Sequence, residues 1–202
     1  MTPAERIRAQ AKEATRRALL QAGLEETVEQ GGEFPSIERL CARAGYTRGA
    51  FYGYFTDRDH FVNEMLDWVL RDIIQSLFES ATEGDADIHE IVRRFDRTLG
   101  AGDWPDIHRN IRAGYVAVLR ELRPGSSIQK QHADLMNGIG ERLRDRIIQG
   151  QKSGTVRRDV KADDVALLLL LIAIGAISWN GVGILEGRSA LGEAVLTLLQ
   201  PV

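Results

Sequence analysis

The chain has little of the chemistry that enzymes and metal sites need. It contains a single cysteine, Cys41, so it can form no internal disulfide. Neither a His-Glu-x-x-His motif nor a phosphate loop ending in Gly-Lys-Ser or Gly-Lys-Thr is present. The histidines lack cysteine or carboxylate partners at metal-ligand spacing; they are His60, His89, His108 and His132. We therefore expect no enzyme activity, no metal and no cofactor.

Excess positive charge is also lacking, because the formal net charge is −3. The protein as a whole is therefore not a general binder of polyanions. Residues 1–22 are an exception, with Arg6, Arg8, Lys12, Arg16 and Arg17 against Glu5 and Glu13. A helix beside DNA phosphates and an ordinary solvated helix face explain this excess equally well. Residues 1–21 are charged throughout and show no secretory signal, so we expect a cytoplasmic protein.

One long apolar run, Val165–Leu185, has only Ser178 and Asn180 as polar interruptions and is long enough to span a bilayer. It also contains three glycines and has no cluster of positive charge at either end to orient it in a membrane. A helix that is apolar on all sides is equally expected where a protein core and a partner subunit cover opposite faces. We favour this second interpretation and expect no membrane partner.

Patterns of alternating strand residues are absent, and apolar residues recur at helical spacing along the chain. We therefore predict an all-α fold of about nine helices, with glycine and proline at the breaks. The predicted spans are 3–30, 36–44, 47–53, 57–82, 86–100, 105–122, 126–152, 162–186 and 189–200. Gly23 and the pair Glu25–Glu26 interrupt the apolar face of the first helix, so its register stays open.

The segment Ser36–Arg58 is typical of two short helices joined by a tight turn. Ser36 can cap the first helix, Gly45 can end it in a conformation with positive φ, and Thr47 can cap the second. The first helix is expected to bury Ile37, Leu40, Cys41 and Ala44. We expect Cys41 to pack as a small apolar residue rather than to act as a redox sensor.

The second of these helices has the residues of a DNA-recognition helix. Arg48 can offer two parallel donors to a guanine edge, and the small residues Gly49 and Ala50 allow close approach to a duplex. Hydroxyl groups suited to phosphate oxygens come from Thr47, Tyr52 and Tyr54. The residues expected to pack against the first helix are Tyr46, Phe51 and Phe55.

The string Ala44–Phe61 resembles the helix-turn-helix signature of the TetR family of transcriptional regulators. The matching residues are Ala44–Gly45, Thr47, Gly49, Tyr52 with Phe55, and Arg58. Arg58 stands where lysine is more usual and Tyr54 where histidine is frequent, and both keep a donor for phosphate. The segment from Gly154 to Val160 is similar, more weakly, to the family's linker before the penultimate helix.

This resemblance implies a homodimer with a DNA-binding domain at residues 1–56 and an effector-binding and dimerisation domain at residues 57–202. Two recognition helices related by a twofold axis imply a palindromic operator in double-stranded DNA. The residues expected to contact DNA are Ser36, Thr47, Arg48, Gly49, Ala50, Tyr52, Tyr54 and Arg58. The helix at 57–82 would connect the two domains, and residues 162–200 are the candidate dimer surface.

The family also implies a small-molecule effector, which we expect to be largely apolar and to release the protein, as a repressor, from its operator. Candidate effector-binding residues are Phe95, Trp104, His108, Tyr115, Met136, Asn137, Trp179 and Asn180. Such a set combines apolar surface with a few polar groups that can orient a ligand. The alternative function is a helical membrane-associated or small-molecule-binding protein with no role on DNA.

Overall fold

The computed structural model describes residues 2–78, 86–100, 106–179 and 191–201. Over these ranges the chain forms nine α-helices and no strand, which confirms the predicted all-α class. The helices are α1 (Pro3–Glu29), α2 (Ile37–Ala44), α3 (Arg48–Tyr52), α4 (Arg58–Phe78), α5 (Ile88–Gly100), α6 (Asp106–Glu121), α7 (Ser127–Ser153), α8 (Ala162–Trp179) and α9 (Leu191–Leu199).

The predicted helix ends agree with these bounds to within two residues wherever the structure describes them. Local capping explains the agreement at the start of α1, where the Thr2 hydroxyl accepts from the Glu5 N–H at 3.2 Å. The Glu5 carboxylate in turn accepts from the Thr2 N–H at 2.6 Å, completing a capping box. Predicted helical residues at 79–82, 105, 180–186 and 189–190 lie outside the described residues.

The chain divides into two compact units. The first unit comprises residues 1–70 and 107–130, and the second comprises residues 71–106 and 131–202. Helix α4 contributes its residues up to Leu70 to the first unit and the remainder to the second. This division rests on compactness, and the functional boundary after residue 56 stays a prediction.

The core of the first unit is centred on three phenylalanine rings. The ring centroids of Phe51 and Phe55 lie 5.1 Å apart, and Phe61 of α4 lies 5.1 Å from Phe55 and 5.6 Å from Phe51. Leu19 and Leu20 of α1 are fully buried in this unit. Phe51 and Phe55 therefore anchor the helix-turn-helix to α4.

The two interruptions in the apolar face of α1 have structural causes. A Cβ atom on Gly23 would lie 2.4 Å from the Phe61 ring, so the close approach of α1 and α4 needs a residue without a side chain. Glu26 is 5% exposed, and its carboxylate accepts from Arg39 at 2.5 Å and from Arg43 at 2.9 Å. The hydrogen bond from Arg43, assisted by Arg39, lowers the pKa of Glu26, so a charged residue is held in a buried position.

The core of the second unit is formed by apolar residues of α4, α5, α7, α8 and α9. Its most buried members include Phe78, Ile88, Ile91, Ile147, Val156 and Leu199. The Arg142 guanidinium lies 4.1 Å from the centroid of the Phe78 ring and covers one edge of this core. Helices α5 and α9 are joined by a hydrogen bond of 2.9 Å from the Gly192 N–H to the Asp96 carboxylate.

Helix α8 buries only part of its apolar surface in the second unit. Ala166, Leu169 and Ala176 are buried, whereas Leu167 and Leu171 are 56% and 57% exposed. No helix among the described residues combines the length and apolar character needed to cross a bilayer. The last residues of the apolar run, 180–185, lie outside the described ranges.

Candidate nucleic-acid interface

The turn between α2 and α3 has the predicted helix-turn-helix geometry. The Ser36 hydroxyl accepts from the Arg39 N–H at 3.3 Å and caps the start of α2. Gly45 ends α2 with φ 73°, a left-handed conformation that glycine adopts without steric cost. The Thr47 hydroxyl then accepts from the Ala50 N–H at 3.1 Å and caps α3. The three capping predictions are confirmed.

Two of the three aromatic residues expected to anchor the motif do so. Phe51 is 0% exposed and Phe55 is 1% exposed, as predicted. The prediction for Tyr46 is wrong, because this residue lies in the turn and is 36% exposed. Its N–H donates to the Cys41 carbonyl at 2.9 Å, and the helical periodicity that we extended back from α3 does not apply to it.

The outer side of α3 presents small and hydrogen-bonding residues. Thr47, Arg48, Gly49 and Tyr52 are exposed, and Ala50 and Tyr54 are half-buried. A Cβ atom on Gly49 would meet only the Thr47 hydroxyl, at 3.7 Å, which is an ordinary contact. The fold itself therefore does not require glycine at position 49. A small residue there leaves the surface open for close approach by another molecule.

Arg48 is held at this surface by two neighbours. Its Nη1 lies 2.6 Å from a carboxylate oxygen of Glu38 in α2, and the two side chains are 57% and 60% exposed. A hydrogen bond with Tyr52, together with the charge of Glu38, raises the pKa of Arg48. Ion pairs as exposed as this one contribute little energy, so Arg48 can exchange Glu38 for another acceptor. The contact with Glu38 could not be predicted from local spacing.

Arg58, the last arginine of the motif, is engaged more firmly. Its Nη1 and Nη2 donate to the two carboxylate oxygens of Glu121 at 3.2 and 2.9 Å, and its guanidinium lies 5.5 Å from the Phe34 ring centroid. The hydrogen bond from Arg58 lowers the pKa of Glu121. The parallel donors that a phosphate would use are thus occupied by the last residue of α6.

The last turn of α6 also contacts the turn between α1 and α2. Arg120 donates from Nη1 to the carbonyl oxygens of Gly31 at 3.2 Å and Gly32 at 3.4 Å. Neighbouring residues of α6 therefore hold two separate points of the first unit. Neither Arg120 nor Glu121 could be predicted from the sequence, because no spacing rule relates them to partners more than sixty positions away.

Comparison with known proteins agrees with this geometry. The family model described as "Bacterial regulatory proteins, tetR family" matches residues 19–65, which include α2, α3 and the start of α4. Residues 19–65 are therefore identified as a tetR-family helix-turn-helix segment.

Similarities over most of the chain extend the comparison beyond the helix-turn-helix. The chain is 26% identical over 168 residues to the HTH-type transcriptional repressor DhaR of Mycobacterium sp. (strain GP1), covering 83% of this chain and 82% of that protein. A putative TetR-family regulator from Rhodococcus sp. superimposes with a TM-score of 0.78 at 16% identity, over 92% of this chain and 98% of that one. FadR of Bacillus subtilis, solved with stearoyl-CoA, gives 0.71 at 18% identity, over 91% and 97%. These solved structures share the fold of this chain, which confirms the predicted all-α fold with an N-terminal helix-turn-helix.

The predicted effector residues are placed only in part. Tyr115 is 2% exposed in the first unit, and burial raises its pKa to about 12. In the second unit Phe95 and Met136 are half-buried and Asn137 is exposed. Trp104 and Asn180, and the side chains of His108 and Trp179, lie outside the described part of the structure. Their role in binding an effector stays a prediction.

Metal-binding and thiol chemistry have little support in the described residues. They include no group of three or more His, Cys, Asp or Glu residues that could hold a metal ion. Cys41 is 3% exposed, and burial raises the pKa of its thiol, which disfavours the reactive thiolate. Packing as a small apolar residue agrees with this environment.

Proposed function

We propose that the protein is a ligand-responsive transcriptional repressor that binds a palindromic operator as a homodimer and is released by a small, largely apolar effector. The observation that carries the proposal is the outer side of α3. There Arg48 is exposed beside Gly49, a glycine for which the fold has no internal requirement. A protein surface with an arginine donor and an open backbone fits the major groove of duplex DNA.

The residues of this face have separable roles in the proposal. Arg48 donates to a guanine edge and reads sequence, while Thr47, Tyr52 and Tyr54 donate to phosphates and set the register. Gly49 and Ala50 allow α3 to approach the bases. Ser36 places the start of α2 beside the sugar–phosphate backbone of the DNA.

A first experiment tests the base-reading role of Arg48. Purified wild-type protein is first used to select operator sequences from a random DNA pool. Operator binding of the Arg48→Ala variant is then compared with that of Arg93→Ala, which removes an equal charge from an exposed residue of α5. We expect Arg48→Ala to cost about 1–3 kcal/mol and to relax the preference at one base pair, whereas Arg93→Ala has no effect. If the wild-type protein shows no preference among duplexes even at low salt, the proposal fails.

The proposed dimer uses the exposed apolar side of α8 with α9. Leu167, Leu168 and Leu171 are 56%, 49% and 57% exposed on α8, and Leu198 is 56% exposed on α9. Two helices from each subunit can pair about a twofold axis into a four-helix arrangement. The same axis would present two copies of α3 to major-groove sites about 34–36 Å apart, as a palindromic operator requires.

Oligomeric state in solution tests this surface. We expect Leu171→Glu to convert the dimer to a monomer in sedimentation velocity, because it places a charge on the centre of the apolar side of α8. Ile7→Glu is the matched control, since Ile7 is 66% exposed on α1 and lies outside the proposed interface. A wild-type protein that sediments as a monomer at micromolar concentration would contradict the dimer.

The class of effector follows from similarity and from composition. FadR, which shares the fold, was solved with stearoyl-CoA, a ligand with a long apolar chain. Among the predicted effector residues, Phe95 and Met136 offer half-buried apolar surface within the second unit. Release requires that the ligand favour the released conformation by about 5.5 kcal/mol to take the protein from 99% to 1% competent.

Arg58 and α4 are the parts through which effector binding would act on the DNA-contacting face of α3. When the protein is on DNA, Arg58 donates to a phosphate; when it is released, the guanidinium returns to Glu121 at the end of α6. Displacement of α4 by the effector moves Arg48 and Tyr52 out of register with the groove. Operator binding titrated with candidate acyl-CoA and other apolar ligands tests release, and an affinity that stays constant at saturating ligand for every class rejects it.

A further inference from the structure

One stripe of α1 changes chemical character along its length. Leu24 and Leu20 are buried in the first unit, and the residues at successive four-residue steps towards the start of the helix are Arg16, Lys12 and Arg8. Residues four apart share one face of an α-helix. The face that packs into the core therefore continues as a line of three cations, which we name the basic ridge.

The fold gives the outer part of this ridge no internal partner in the described residues. Arg8 and Lys12 are exposed and form no ion pair there, whereas Arg17, on another face, pairs with Glu13 at 3.2 Å. Like charges four residues apart destabilise a helix by about 0.2–0.5 kcal/mol per pair. Because no carboxylate within the described part of the first unit offsets this repulsion at Arg8 and Lys12, we infer that these cations have a partner outside the protein.

The ridge begins beside the helix-turn-helix. Arg16 pairs with Glu64 of α4, and the other oxygen of Glu64 lies 3.7 Å from Nε2 of His60. Nδ1 of His60 accepts from the N–H of Thr56, at 3.1 Å, and Thr56 is two residues beyond Tyr54. This chain of contacts lies within the first unit and joins the inner end of the ridge to the loop that follows α3.

We propose that the basic ridge binds phosphates of the operator DNA that flanks the segment contacted by α3. At 1.5 Å per residue, Lys12 and Arg8 extend about 6 and 12 Å along α1 beyond Arg16. The occupant is duplex DNA because the ridge is basic in a chain of net charge −3 and belongs to the compact unit that contains the helix-turn-helix. Exposed lysine and arginine give contacts that position a protein on DNA without reading sequence. This inference rests on the proposed function.

A matched pair of variants tests the ridge. Arg8→Gln removes one charge from the ridge, and Arg6→Gln removes the same charge from an exposed residue on the opposite side of α1, also without an ion pair among the described residues. We expect Arg8→Gln to lower the slope of log affinity against log salt by about 0.9, while Arg6→Gln keeps the wild-type slope. Because both residues are exposed, thermal unfolding of the two variants should match that of the wild type.

The double variant Arg8→Gln/Lys12→Gln enlarges the effect. Loss of two phosphate contacts lowers the slope by about 1.8, so the affinity loss at 50 mM salt should exceed that at 200 mM by about 12-fold. Trimming the operator duplex to the segment contacted by α3 should remove this difference, because the flanking phosphates are then absent. A difference that persists on the trimmed duplex would contradict contact with flanking DNA.

The outcomes separate this inference from the proposed function. If the wild type binds no duplex, both fall; if it binds and Arg8→Gln keeps the wild-type slope, only the ridge falls. An anionic membrane surface is the other polyanion that a row of cations could bind. A parallel assay with vesicles of phosphatidylserine distinguishes it from DNA. Vesicle binding that depends on Arg8 and Lys12, with an unchanged operator slope, would also overturn the inference.

Discussion

Glu121→Gln should strengthen operator binding, because in the wild type Arg58 must leave Glu121 before it can reach a phosphate. The pair is bidentate, at 2.9 and 3.2 Å, which favours a measurable contribution. The Arg58 side chain is 40% exposed and that of Glu121 is 19% exposed, so solvent screens part of the attraction. We therefore set the pair at about 1 kcal/mol, which corresponds to roughly a fivefold gain in affinity for Glu121→Gln.

A double-mutant cycle with Arg58→Ala isolates this exchange. Operator affinity is measured by fluorescence anisotropy for the wild type, the two single variants and the double variant. We expect Glu121→Gln to have no effect in the Arg58→Ala background, because the competing guanidinium is then absent. Glu141→Gln is the control for net charge, since it removes an exposed carboxylate from α7 and should leave affinity unchanged.

Two results would refute the reasoning. Weaker operator binding by Glu121→Gln would mean that the pair supports the start of α4 in the DNA-bound form instead of competing with DNA. An equal gain with and without Arg58 would mean that Glu121 acts through general repulsion of the phosphates. Either result would contradict the proposal that Arg58 exchanges Glu121 for a DNA phosphate.

Two further predictions concern the first unit and the helix interiors. Gly23→Ala should lower the free energy of unfolding by about 1–3 kcal/mol, because its Cβ would lie 2.4 Å from the Phe61 ring. Gly138→Ala, where the added Cβ meets open space, should raise the free energy of unfolding by about 0.5–1 kcal/mol. Equal effects of the two variants in thermal melts would contradict this. Tyr115, with a pKa raised by burial from 10.0 to about 12, should stabilise the protein fully below pH 10 and lose that contribution as the pH rises through 12. Tyrosinate absorbance should show one late titration that Tyr115→Phe removes, and its persistence in that variant would reject the assignment.

Local chemistry explains why much of the fold could be predicted. Ser36 and Thr47 cap helices through hydrogen bonds that span three residues, and Gly45 meets a conformational need at a single position. Such interactions are encoded within one turn of chain, so pattern and residue type are enough to predict them. Tyr46 shows where this reasoning stops, since its exposure depends on how the turn leaves α2 and not on helical periodicity.

The residues that were missed depend on contacts distant in sequence. Gly23 and Glu26 interrupted the predicted face of α1, and only their neighbours in space, Phe61 for the glycine and Arg43 for the carboxylate, account for them. Glu121 belongs to the same class, because it meets a residue 63 positions earlier in the chain.

By itself the sequence determined the helical class, most helix ends and the exposed face of α3, since each follows from side chains within a few positions of one another. The tertiary structure decided which charges are free at that face: it left Arg48 with an exposed partner and placed Arg58 on Glu121. It also left the apolar side chain of Leu171 exposed on α8. The physical reason is that the strength of an ion pair and the burial of an apolar side chain depend on which surfaces meet in space.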